Sequence, residues 1–238
     1  MPRKRWLVIV FLFALLASLL FYAPARLVVE RLPDIYIEGA PVEFSAVQGP
    51  WWNARLNWQW QEFAGDMSWS LATRRVMPAL RLRLTGSADL RLSGLISGYL
   101  SGWRLTDVRA SVPLAPFSER VEAGGAEGRM NLVVMQLKVN DGNIVDLQGV
   151  LEYSGGVLTW PQGGRAEVPP LSGLLSMVND IPQMTLDDPQ GQRLMVARVD
   201  NQQLSFEVLR AWPLLLGVSQ GGGPDDVVFR MSQPFQLP

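Results

Sequence analysis

The chain has 238 residues, 48% of them hydrophobic, with 21 Lys+Arg against 22 Asp+Glu. It contains no histidine and no cysteine, which excludes His-based triads, His-ligated zinc or iron, thiol nucleophiles, iron–sulfur ligation and disulfides. The near-neutral charge balance lacks the concentrated basic face that nucleic acid requires.

Arg3, Lys4 and Arg5 precede an uncharged run, Trp6 to Ala23 (WLVIVFLFALLASLLFYA). At ~1.5 Å per helical residue that run is long enough to cross a hydrocarbon core. It predicts a transmembrane anchor in which Trp6, Leu7, Phe11, Leu15, Leu19 and Phe21 meet lipid. The three cations place the N-terminus in the cytoplasm and the rest across the membrane, which in a Gram-negative cell means an inner-membrane anchor and a periplasmic domain. A cleaved signal peptide is the alternative, because Ala23-Pro24-Ala25 offers small residues to a peptidase. The run exceeds an ordinary signal h-region and a proline sits in the cleavage box, which favours the uncleaved anchor. The expected division is 1–25 as basic tip and anchor and 26–238 as a periplasmic β-rich domain. That domain carries two similar sheet halves, about 40–112 and 128–238. Its formal charge is −4, because three of the 21 basic residues and none of the 22 acids precede it.

Beyond Pro33, which ends any extension of the helix from Leu27, period-2 alternation dominates. Val42, Phe44 and Ala46, then Leu56, Trp58 and Trp60, read as strands around a Gly49-Pro50 turn. Gly65-Asp66 reads as a hairpin turn before Trp69 and Leu71. Leu80, Leu82 and Leu84, then Leu90 and Leu92, continue as strands of five to seven residues punctuated by Gly86 and Gly94. Arg81 and Arg83 fall on the wet face. Leu114 to Glu122 reads as a helical insert stopped by Gly124-Gly125. Strands resume over Arg129–Val139 and Val145–Tyr153 around Asn140-Asp141-Gly142-Asn143, and Val157–Trp160 continues the second past a glycine bulge. Leu171 to Val178 reads as a short helix or an irregular segment. Strands at 184–186, 194–199, 204–209 and 227–231 complete the set. The expected fold is mainly β: the N-terminal helix, then an antiparallel, strongly twisted sheet or sandwich with one or two short helices.

No residue pattern carries catalysis, and neither cofactor nor metal is expected. Asp187-Asp188 and Asp225-Asp226 are adjacent, so on a strand they point to opposite faces, and beside proline or glycine they shape turns. Asp141-Gly142-Asn143 lacks the alternating ligands of a calcium loop. Lys138, the one lysine beyond the anchor, lies in an alternating run as a strand lysine. Trp51, Trp52, Trp58, Trp60 and Trp69 crowd together. They read foremost as packing for a sheet face, and alternatively as a surface for a chain, sugar or partner.

The segment Val47-Gln48-Gly49-Pro50-Trp51-Trp52-Asn53-Ala54-Arg55-Leu56 resembles the glycine–x–x–tryptophan region after the anchor of the type II secretion system protein N family, with Ala54 or Asn53 where the family has its second glycine. Gly65 to Leu71, Pro113 to Glu122, Gly128 and Leu147 to Tyr153 are similar to later parts of the pattern, with Tyr153 as the aromatic. The resemblance implies a non-catalytic inner-membrane accessory subunit of the machine that exports folded proteins across the outer membrane. Its partners would be other secretion subunits, the inner-membrane platform and outer-membrane channel among them. The alternative is a lipid-handling protein whose leucines line a twisted trough, similar in layout to the AsmA-like group.

Overall fold

The computed structural model describes residues 2–31, 35–37, 40–74, 77–99, 101–118, 124–160, 164–218 and 221–235. Helix α1 (Pro2–Phe21) is followed by the one-turn α2 (Arg26–Val29) and a small hairpin, β1 (Tyr36–Ile37) with β2 (Ala40–Pro41). Then come β3 (Glu43–Gln48), β4 (Asn53–Trp60), β5 (Phe63–Arg74), β6 (Met77–Gly86), β7 (Leu90–Tyr99) and β8 (Gly102–Pro113). After α3 (Ala115–Ser118) follow β9 (Gly125–Ala126), β10 (Arg129–Asn140), β11 (Asn143–Tyr153), β12 (Gly156–Trp160) and β13 (Gly164–Val168). The chain continues through β14 (Leu171–Val178), β15 (Ile181–Asp187), β16 (Arg193–Asp200), β17 (Gln203–Leu209), α4 (Ala211–Leu215) and β18 (Val227–Pro234).

One antiparallel sheet of 13 strands runs β18-β17-β16-β15-β14-β11-β10-β8-β7-β6-β5-β4-β3. Neighbours in sequence are mostly neighbours in space, as tight hairpins dictate. Asp141-Gly142, Asn179-Asp180 and Asn201-Gln202 turn the chain with both central residues at positive φ, the geometry that matches strand twist. The two connections that depart from this meander, between β8 and β10 and between β11 and β14, supply a separate three-stranded sheet, β13-β12-β9.

The apolar side chains gather at two places. Leu56, Trp58 and Phe63 form one cluster, with Val29 of α2, Phe44, Val47, Met67 and Leu84 against it. Tyr153, Val168, Leu171, Leu194 and Ala211 form the other, where β13 and α4 cover the end of the main sheet. The total accessible surface is 15973 Å², whereas a compact monomer of this mass exposes roughly 10,600 Å². A broad single-layer sheet with a projecting helix accounts for that excess.

Several expectations need correction. Gly65-Asp66 is not a turn: the chain reverses at Gln61-Glu62, and Gly65 lies inside β5. A Cβ at Gly65 would sit 1.9 Å from the Thr85 carbonyl oxygen, so this glycine serves close strand approach rather than reversal. The main-sheet strands from β4 to β11 consequently run longer than five to seven residues. Leu171 to Val178 is a strand, because β11 and β15 pair with it from both sides. Gly156–Trp160 does not prolong β11: Gly155 and Gly156, both at positive φ, steer it into the small sheet. The insert expected over 114–122 is helical at Ala115–Ser118, and 119–122 lies outside the described residues, as does Pro33. Among the described residues no helix is long and apolar enough to cross a membrane. The side chains at 2–5, 7–9, 17 and 20 of α1 lie outside them, Arg3, Lys4, Arg5 and Leu7 included, so the expected span is not shown.

Candidate functional site

Three features set the sheet apart: how α1 is fastened to it, how unlike its two faces are, and how its last edge is presented. The fastening is built by the segment between β3 and β4. Gly49, at φ +94°, allows the tight turn; a Cβ there would meet the Asn53 carbonyl oxygen at 2.4 Å. The Ala25 N–H then donates to the Gly49 carbonyl at 2.9 Å, and the Trp51 N–H to the Ala23 carbonyl at 3.0 Å, with Pro24 bridged to Pro50. Trp52 Nε1 donates to the Phe21 carbonyl at 2.9 Å, satisfying a carbonyl orphaned at the end of α1. Its ring lies 5.0 Å from that of Phe21.

The other tryptophans divide by depth. Trp58 is 8% exposed and donates through Nε1 to the Thr85 carbonyl, as a core residue. Trp60 stacks on Phe63 at 5.7 Å, and Trp69 Nε1 donates to the Trp51 carbonyl at 2.7 Å. Trp51 stays 42% exposed. The geometry thus separates Trp58 from Trp51 and Trp52, which meet the helix end. Of the expected anchor residues, Trp6, Phe11, Leu15, Leu19 and Phe21 are exposed along α1.

Directly paired residues on neighbouring strands share a sheet face. From Leu56 the register passes to Met67, Leu84, Leu92, Ala110, Leu132, Leu151, Gly173, Leu186, Met195, Val208 and Phe229. Every member of this row is apolar. The parallel row from Val108 through Val134, Gly149, Leu175, Met184, Ala197 and Phe206 to Met231 is apolar as well. On the opposite face, the row from Asn57 through Asp66, Thr85, Arg91, Ser111, Asn131, Glu152, Ser172 and Asp187 to Arg193 has no apolar side chain, and the row beside it, from Arg55 to Arg230, mixes arginines and serines with Val133, Val150, Leu174 and Val196.

The polar face is basic over its N-terminal half. Arg55, Arg81 and Arg83, with Asn53, Ser68 and Ser70, line a shallow cleft of about 140 Å³. Among the described residues none of these arginines forms an ion pair, so the cleft offers uncompensated donors to an anionic group. Arg129 and Arg198 by contrast pair with Asp89 and Glu207.

At the far edge, β18 is exposed along its whole length, with Phe229 54% exposed. The other edge, β3, is interrupted by a bulge at Ala46 and flanked by α2.

The acidic pairs act as turn and ion-pair groups. Asp188 accepts from the Gln190 and Gln192 N–H groups, Asp187 pairs with Arg193 at 3.1 Å, Asp225 accepts from Gln192, and Asp226 accepts from the Gly223 N–H. Lys138 Nζ lies 5.5 Å above the Tyr99 ring. Among the described residues no group of three acidic side chains is placed to hold a metal ion. Burial, and then the negative charge of Glu127, raise the Tyr153 hydroxyl above its ordinary pKa; the hydroxyl donates to the Glu127 carbonyl at 2.7 Å.

The leucine-lined face is the trough that the sequence offers as an alternative, whereas the register that joins its rows and the arginine cleft escape a reading of the sequence, since both depend on pairing between strands. The alternating leucines of single strands are the local signal that announces the rows.

A family model described as type II secretion system (T2SS), protein N matches residues 40–215. No curated protein and no solved structure matches the chain.

Proposed function

This chain belongs to the type II secretion system protein N family, and we propose on that basis that it is a non-catalytic, inner-membrane-anchored periplasmic scaffold in the export of folded proteins across the outer membrane. Membership places it among the envelope-associated accessory components of type II secretion, and its partners are other components of that system.

The observation that carries this reading is the fastening of α1 to the sheet. A 20-residue helix spans ~30 Å, and its exposed aromatic and aliphatic side chains find no core to pack against. The bonds from Trp52, Trp51 and Ala25 make the helix end and the first strands one rigid unit, so an anchor in the bilayer sets how the sheet stands above it. The inner-membrane platform and the outer-membrane channel are the proposed partners. The basic cleft at Arg55, Arg81 and Arg83 supplies a docking point for an acidic segment of one of them.

A deletion strain tests the proposal. Loss of the chain should reduce release of secreted enzymes. Re-expression should restore it, whereas the triple variant with Arg55, Arg81 and Arg83 replaced by Glu should insert in the membrane yet restore little. Envelope crosslinking should join the wild-type chain to other secretion subunits. Normal secretion by the deletion strain, with no crosslinked subunit, would end the scaffold reading.

A further inference from the structure

We propose that the apolar face of the sheet is a binding trough for the acyl chains of membrane phospholipid, reached from the bilayer beside α1. The apolar rows cross twelve strands at ~4.8 Å spacing, a path of roughly 50 Å. The two buried clusters lie at Leu56–Phe63 and Tyr153–Ala211, and the stretch between them belongs to neither. There Leu92 is 39% exposed, and Leu132 and Leu151 are half-buried. A continuous apolar surface of this extent is not left to water without use.

The chemistry of the face selects the occupant. The two rows hold no side-chain N–H or O–H, and the Trp58, Trp69 and Tyr153 donors beside them on that face are bonded to main-chain carbonyls. An extended peptide laid there would bring N–H and C=O groups that the face cannot satisfy. A hydrocarbon chain has none to satisfy. Methionines at 67, 184 and 195 give the rows adaptable side chains suited to a flexible ligand. Position agrees with chemistry: the first row begins on β4, whose preceding turn holds the Phe21 carbonyl at the end of α1 and the Ala23 carbonyl just past it. From that end the path leads past the first buried cluster, where Leu56 is only 3% exposed, to the open leucines at 92, 132 and 151. This inference rests on the anchor reading of α1.

The test uses the full chain in vesicles of phosphatidylethanolamine and phosphatidylglycerol carrying a trace of diazirine-acyl phosphatidylethanolamine. After illumination, labelled peptides are mapped by mass spectrometry. Label is expected on α1 and also around Leu92, Leu132 and Leu151. Leu151→Arg should cut labelling of the sheet ~10-fold, because a charge in that row must be desolvated by the lipid. Glu152→Arg, one residue away in the polar row of the opposite face, should leave it unchanged. If Leu151→Arg fails to fold by circular dichroism, the milder Leu92→Gln at the exposed centre of the row should give a graded loss. Label confined to α1 would overturn the trough while leaving the anchor intact, and absence of label from α1 would overturn the anchor reading. A dimer crosslinked through these leucines without lipid label would show that a second copy covers the face, and would also overturn the proposal.

Discussion

Tyr153 ties three levels of the molecule together at one residue. Its backbone closes β11, its ring lies in the buried cluster with Leu171 and Leu194, and its hydroxyl holds the loop before β10 through the Glu127 carbonyl. Burial and the Glu127 charge both disfavour the phenolate, so the folded state keeps its proton to higher pH than the unfolded chain, whose tyrosines titrate near ~10. The stabilisation is therefore complete below about pH 10 and is lost as pH rises through the folded-state pKa. Tyr153→Phe removes both the hydrogen bond and the titration. At neutral pH it should cost about 1 kcal/mol, and the gap between wild type and variant should close above about pH 10. Urea unfolding from pH 8 upward measures this; parallel profiles at every pH would show that the hydroxyl plays no such part.

At the scale of elements, what was legible in the sequence depended on whether the cause was local. The Asp141-Gly142 turn is a local matter, because a two-residue reversal needs positive φ at both positions and these residues tolerate it. Alternating leucines at 80, 82 and 84 likewise announce a strand with one wet face, and Arg81 and Arg83 are exposed there. Gly65 misled because its neighbour Thr85 lies 20 residues on, and only pairing reveals the close approach. Leu171–Val178 misled for a related reason: flanked on both sides, it takes its conformation from β11 and β15 rather than from its own weak pattern. The apolar face needs the register of a dozen strands, which no single segment encodes. Edge strands follow the same logic. β18 leaves one row of main-chain donors and acceptors unpaired and carries Val227, Val228, Phe229 and Met231 exposed, with Arg230 as its only charge. That combination favours pairing with a further strand. The detergent-solubilised chain should therefore associate as its concentration rises. Val228→Lys, at the exposed irregularity of β18 where the register skips a residue, should suppress association while changing stability by no more than about 0.5 kcal/mol. Light scattering across a dilution series decides, and identical association of wild type and variant would remove β18 as the contact.

Across the whole molecule, the sheet resembles a ribbon more than a core. Each strand contacts its two neighbours, the buried clusters sit far apart along the ribbon, and the surface is half as large again as compact packing implies. In such a quasi-linear array stability is a sum of strand-to-strand terms, so damage at one end decays along the sheet instead of unfolding it all at once. Leu194 is fully buried in the C-terminal cluster, and truncating it to alanine should cost about 2–5 kcal/mol there. β4 and β5 lie eight or more strands away and share no side-chain partner with it. Hydrogen exchange in the Leu194→Ala variant should accordingly accelerate over β14 to β17 and stay unchanged over β4 and β5. A uniform acceleration over the entire sheet would mean that the chain unfolds as one cooperative unit. Local loss is the outcome that suits a scaffold, since the end fastened to α1 would keep its structure while the far edge opened to a partner.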